Sequence, residues 1–150
     1  MPVDEQIMKA LRIPQDEAPI AKLVGMHLTS AGPGLASFTM DVDERHHNPM
    51  GSVHGGILGD LADIAMGYAV ISTLAPEETF TTVEMKINFL RPVFRERLRC
   101  HARVDSRGKT IAYAVADVVN DEGKIVAKAV STNLVVRRPD SADPFHHKPK

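Results

Sequence analysis

The chain has 150 residues, 43% of them hydrophobic, with 18 Lys and Arg against 19 Asp and Glu and a formal net charge of −1. That suits one domain with a real core, and it offers no global basic field to gather nucleic acid. The single cysteine excludes an internal disulfide framework and zinc sites built on several thiolates, and zero Trp with two Tyr leaves little on which bases could stack.

Residues 1–25 read as a leader, in which Asp4 to Leu11 forms a short helix with Ile7, Met8 and Leu11 on one side, ended by Pro14. Asp4 and Glu5 stand where a secretory signal would be basic, and no apolar signal core follows. The domain body is expected over residues 26–138. Within it Leu35–Asp43 alternates Ala36, Phe38, Met40 and Val42 against polar neighbours. Thr82–Leu90 sets Val83, Met85, Ile87 and Phe89 against Thr82, Glu84, Lys86 and Asn88. Arg97–Asp105 sets Leu98, Cys100, Ala102 and Val104 against arginines, a histidine and an aspartate. A period of two marks half-buried antiparallel strands. Lys109–Val119 and Lys124–Val136 are apolar on both faces, as central strands are. Gly32-Pro33-Gly34, Ser106-Arg107-Gly108 and Asn120-Asp121-Glu122-Gly123 read as turns.

One segment has helical spacing. His54–Leu74 is apolar nearly all round, which predicts a helix buried on most sides. Its glycines and alanines allow a sheet to approach the backbone closely. The expectation is α+β, one long central helix wrapped by a curved antiparallel sheet of five or six strands. Asp60 and Asp63 interrupt the apolar run, which argues against a membrane span. Residues 139–150 read as a flexible tail, and the whole as a cytoplasmic protein.

Two features carry chemistry. Asp63 sits mid-helix among Leu61, Ala62, Ile64 and Ala65, where an unpaired charge is costly. It is either an interface ion pair or a functional carboxylate with a raised pKa. Asp60 lies one turn earlier, nearer the helix start. The stretch Asn48-Pro-Met-Gly-Ser-Val-His54-Gly55-Gly56 is a loop running into that helix, and glycines there leave N–H groups free for an oxyanion. A triad of Ser52, His54 and Asp63 is conceivable, although residues two apart rarely face each other. His46, His47 and His54 match no zinc spacing and read more simply as surface histidines. Cys100 reads as core. Glycine-rich dinucleotide and P-loop signatures are absent. Arg91, Arg107 and Lys109 belong to a basic cluster after the helix, either a solvated sheet face or an anchor for phosphates.

The series Asn48-x-x-Gly51-x-x-His54-Gly55-Gly56-x-x-x-x-Leu61-x-Asp63, followed by Thr82-Val83-Glu84-Met85-x-Ile87-x-Phe89-x-x-Pro92, resembles the PaaI-like acyl-CoA thioesterases of the hotdog superfamily. The resemblance implies a hotdog fold and hydrolysis of an acyl-CoA, aryl or short to medium in chain, without a cofactor or metal. It implies that Asp63 is the nucleophile or general base and that the Gly55 N–H polarises the thioester carbonyl. His54 would orient the loop, Asn48 would hold water or thioester, and Thr82 would lie near the attacking water. Gly56 and Asp60 would line the substrate site, and Arg91, Arg107 and Lys109 would meet the CoA phosphates. It further implies a homodimer with a site between subunits, paired into a homotetramer. The runner-up readings are a non-catalytic acyl-CoA-binding hotdog protein and an acyl-thioester hydratase, whose usual motif fits this set poorly. A structural oligomer is the reading outside the superfamily.

Overall fold

The computed structural model describes residues 5–11, 13–14 and 17–138; the tail at 139–150 lies outside them. Alternation dictates the sheet. On β2 (Leu35–Val42) the inward residues Ala36, Phe38, Met40 and Val42 are almost fully buried. The strand pairs antiparallel with β4 (Glu96–Arg107), setting Phe38 opposite Cys100 and Met40 opposite Leu98. Cross-strand partners point the same way, so the two strands build one apolar face. Cys100 lies in the middle of it, its thiol pushed up to about 12 by burial and then by the charge of Asp117. A thiol so held stays protonated at neutral pH and serves packing rather than nucleophilic attack.

Six strands form one antiparallel sheet in the order β1-β2-β4-β5-β6-β3, with β1 at Met26–Gly32, β3 at Glu78–Phe89, β5 at Ile111–Val119 and β6 at Ile125–Arg137. As expected of strands apolar on both faces, β5 and β6 lie inside the sheet. Two short helices precede it, α1 (Glu5–Ala10) and α2 (Pro19–Val24). Ile13 and Ala21 from this leader are buried in the same core as the sheet. The long helix α3 (Gly55–Ile71) crosses the inner face and packs on β2, β4 and β5. Its Leu61, Ala62, Ala65, Met66, Ala69 and Val70 are at most 1% exposed, and burying each large apolar side chain contributes about 1.5–3 kcal/mol. This is the α+β hotdog arrangement, a long helix wrapped by a curved sheet.

β3 departs from its expected pattern in two ways. It is an edge strand, bonded only to β6, and Thr81–Lys86 are exposed on both faces; Val83 keeps 57% of its surface open. The apolar set that alternation assigns to a core is therefore uncovered in the single chain. A register shift between Thr82 and Glu84 also inserts Val83 as a bulge, and an extra residue moves every later side chain to the other face. Phe80 and Thr82 before the bulge, and Met85 and Phe89 after it, consequently all turn toward α3. Strict alternation had set Thr82 on the face opposite Met85 and Phe89.

Candidate active site

The loop before α3 is tied by its own side chains. Asn48 Oδ1 accepts the N–H groups of Met50 (3.0 Å) and Ser52 (3.3 Å), and its Nδ2 donates to Ser52 Oγ at 3.1 Å. Gly51 turns the loop at φ +86°, a backbone conformation that favours glycine. Two histidines fasten the loop to the body. His46 is buried, and its Nδ1 accepts the Asp43 N–H while its Nε2 donates to the Val24 carbonyl. His47 Nε2 donates to the Phe94 carbonyl at 2.8 Å. The expectation of surface histidines fails for His46, because a ring with two backbone partners can be buried without cost.

His54 is the N-cap of α3. Its Nδ1 accepts the Gly56 N–H at 2.9 Å, so in the neutral ring the proton sits on Nε2. The Gly56 N–H is therefore committed to the cap, while Gly56 itself lines the hollow beside the helix start. The Gly55 N–H has no partner among the described residues and lies at the positive end of a 17-residue helix. The ring of Phe89 covers Gly55 so closely that a β-carbon there would lie 2.8 Å from Cζ.

Asp63 stands two turns along. Gly59 and Gly67, four residues before and after it, both face β3: a β-carbon at Gly59 would lie 3.7 Å from Met85 Cε, and one at Gly67 3.6 Å from Phe80 Cζ. Residues four apart share a helix face, so Asp63 is carried toward the stretch of β3 between Phe80 and Met85, where Thr82 and the bulge lie. Asp63 is exposed to solvent in the single chain, unlike its apolar neighbours Leu61, Ala62 and Ala65, and the partial burial of its carboxyl raises it above the ordinary range, with a further push from the negative charge of Asp60. Burial also raises Asp60, which lines an open hollow of about 330 Å³ with His54, Gly56 and Ile57. The smallness of the α3 residues is legible in the sequence. Their four-residue register, centred on Asp63, is the signal that composition alone passes over.

Thr82 donates its hydroxyl to Asn133 Oδ1 at 3.1 Å. Asn133 is 1% exposed and stands directly opposite Thr82 on β6. Sequence reasoning passes over Asn133, although Ser131-Thr132-Asn133 is a polar run inside an otherwise apolar strand. The three cations are not brought together. Arg91 follows β3 beyond Phe89, at the N-terminal end of α3. Arg107 donates to Thr73 Oγ1 (3.2 Å) and Glu78 Oε2 (2.5 Å), beyond the C-terminal end of α3, with Lys109 exposed two residues later. Arg107 is thus a partner of Glu78 in the single chain, whereas Arg91 and Lys109 are exposed.

A capped glycine-rich helix start, a carboxylate raised by partial burial and a hydroxyl on the strand that this helix face meets are groups that hydrolysis of an activated acyl group can use. The family model described as the Thioesterase superfamily matches residues 50–127, the stretch from the α3 loop into β6. The chain belongs to the thioesterase superfamily, and it is a thioester hydrolase of the PaaI-like hotdog type. It is 37% identical over 109 residues to the acyl-coenzyme A thioesterase PaaI of Escherichia coli, covering 71% of this chain and 75% of the relative. It is 34% identical over 109 residues to human acyl-coenzyme A thioesterase 13, covering 70% and 76%. The solved structure of the E. coli PaaI protein from the phenylacetic acid degradation operon superposes with a TM-score of 0.77 at 30% identity, covering 87% of this chain and 91% of that one. A thioesterase family protein from Silicibacter pomeroyi gives 0.79 at 28% identity, with 87% and 98% covered. Among the described residues no helix is long and apolar enough to cross a membrane.

Proposed function

We propose that the protein hydrolyses acyl-CoA thioesters at a site shared by two copies of the chain. One observation carries this reading: the free N–H of Gly55 and the carboxylate of Asp63 belong to one helix, eight residues apart. At 1.5 Å per residue that is about 12 Å, too far for both to serve one carbonyl carbon. A second copy, turned so that its α3 runs the opposite way, brings its Asp63 to the first copy's Gly55. The open edge of β3 supports such pairing, since a long unpaired edge carrying Val83, Met85 and Phe89 is a template for another strand.

The chemistry then follows. The thioester oxygen lies on the Gly55 N–H, whose pull strengthens as negative charge develops. Asp63 of the partner subunit takes a proton from water as its oxygen attacks the carbonyl carbon. The tetrahedral oxyanion collapses, the carbon–sulfur bond breaks, and the proton passes from Asp63 to the leaving sulfur. Asn48 and the His54 cap hold the loop that presents Gly55. Because the paired α3 helices run in opposite directions, exposed Arg91 of one copy and Lys109 of the partner subunit serve the CoA phosphates, joined by the partner's Arg107 where phosphate displaces Glu78. Aryl and short to medium acyl groups fit best, because Asp60 beside the hollow disfavours a long aliphatic chain. The outer sheet face, with Ile111 and Tyr113 exposed, joins two dimers into a tetramer, and the cytoplasm is the compartment we assign.

The test is thiol release from benzoyl-, phenylacetyl-, short- and medium-chain acyl-CoA by wild type, Asp63→Asn, Asn48→Ala and a remixed sample of the two variants. Each variant alone is nearly inactive. Random reassortment makes half the dimers mixed, each with one intact site, and restores about a quarter of wild-type turnover. Remixing without recovery sinks the shared site, and no turnover by wild type sinks the thioesterase reading itself.

A further inference from the structure

We infer that Asn133 is a positioning residue that fixes the direction of the Thr82 hydroxyl, so that Thr82 can only accept a hydrogen bond from the attacking water. The inference rests on the thioesterase reading above and adds a residue to it. Asn133 Nδ2 donates to the Ala112 carbonyl at 3.2 Å and to Ser131 Oγ at 2.9 Å. A backbone carbonyl can only accept, so the amide cannot be flipped without setting two oxygens against each other in a buried site. Oδ1 must therefore face Thr82, and the Thr82 hydroxyl must give it its proton. What remains on Thr82 Oγ1 is lone pairs.

The consequence is chemical. A hydroxyl whose proton is held by an amide oxygen cannot donate to an oxyanion, and with no base to take that proton it is a poor nucleophile. It can hold one hydrogen of a water molecule while the other hydrogen is directed to a carboxylate. Asp63 is carried toward this stretch of β3 by the Gly59–Gly67 face of α3, and the bulge at Val83 brings Thr82 to the same side as Met85 and Phe89. Held by both groups, the water's oxygen lone pair is left for the carbonyl carbon. The arrangement favours attack by water over direct attack by the carboxylate. Asn133 touches neither water nor substrate and acts through Thr82.

The experiment is a mutant cycle read as kcat and KM for the best acyl-CoA substrate. Asn133→Leu is placed in wild type, in Thr82→Ser, which keeps the hydroxyl, and in Thr82→Val, which lacks it. The expected result is a fall in kcat of about 10- to 100-fold, with KM little changed, in the two hydroxyl backgrounds. In Thr82→Val, itself lowered to a similar degree, adding Asn133→Leu brings no comparable further fall. An Asn133→Leu loss of equal factor in all three backgrounds makes Asn133 merely structural and overturns the inference. So does an Asn133→Leu enzyme with wild-type kcat. Thr82→Val with full activity removes Thr82, and Asn133 with it, from the reaction while leaving Asp63 and Gly55 standing. Absent turnover in wild type marks failure of the thioesterase reading instead. Thermal melts verify folding, and where Asn133→Leu does not fold, Asn133→Ser is carried through the same cycle under the same criteria.

Discussion

The Cζ atom of Phe89 stands 2.8 Å from where a β-carbon would lie on Gly55, with two more ring carbons at 3.1 and 3.3 Å. The last inward residue of β3 thus lies over the first residue of α3, and a side chain at Gly55 would push this ring, itself 55% exposed, aside. Gly55 has no need of a left-handed backbone; its requirement is space alone.

Gly55→Ala is expected to displace the exposed Phe89 ring or the helix start, with a stability cost of no more than about 1 kcal/mol. Activity falls further than stability, because a donor shifted from the oxyanion loses most of its effect. Pairing it with Phe89→Leu restores the melting temperature more than it restores kcat. Denaturant melts beside thiol-release kinetics check this, and full recovery of both would make Gly55 a packing residue only.

The pH behaviour of Asp63 follows from the direction of its shift. Burial first, and Asp60 second, raise its carboxyl above the ordinary 3.8. The folded protein thus holds the proton more tightly than the unfolded chain, so this group's contribution to stability is present below 3.8 and is lost as pH rises through the folded value. Asp63→Asn is therefore expected to melt higher than wild type at neutral pH while losing about 10²- to 10⁴-fold in kcat. The rising acid limb of kcat/KM should lie above 3.8, and Asp60→Asn should move it to lower pH by removing the second cause. A limb unmoved by Asp60→Asn would disconnect the two carboxylates.

The uncovered edge of β3 makes its own prediction. Val83 occupies the bulge, 57% exposed and remote from the α3 loop in sequence. Val83→Lys places a charge on the open edge, a device by which edge strands resist pairing. Sedimentation should then show monomers, and turnover should fall with the dimer fraction although Asp63, Gly55 and Thr82 are intact. Monomers with wild-type kcat would place a complete site in a single chain.

Much of this molecule is legible in its residues. Alternation in Leu35–Asp43 and Arg97–Asp105, and helical spacing after His54, specify which faces are apolar, because burial of apolar surface is local in its demand for periodicity. The series from Asn48 to Asp63 likewise marks the helix start and its carboxylate. Other features depended on the third dimension. The bulge at Val83 reverses the facing of half a strand, and no local pattern announces it. The commitment of Gly56 to the His54 cap and of Arg107 to Glu78 depends on which groups meet. The polarity of Thr82 is settled by a buried amide 51 residues away, since hydrogen bonds are specified by pairs of atoms in space whereas hydrophobic periodicity is written along the chain.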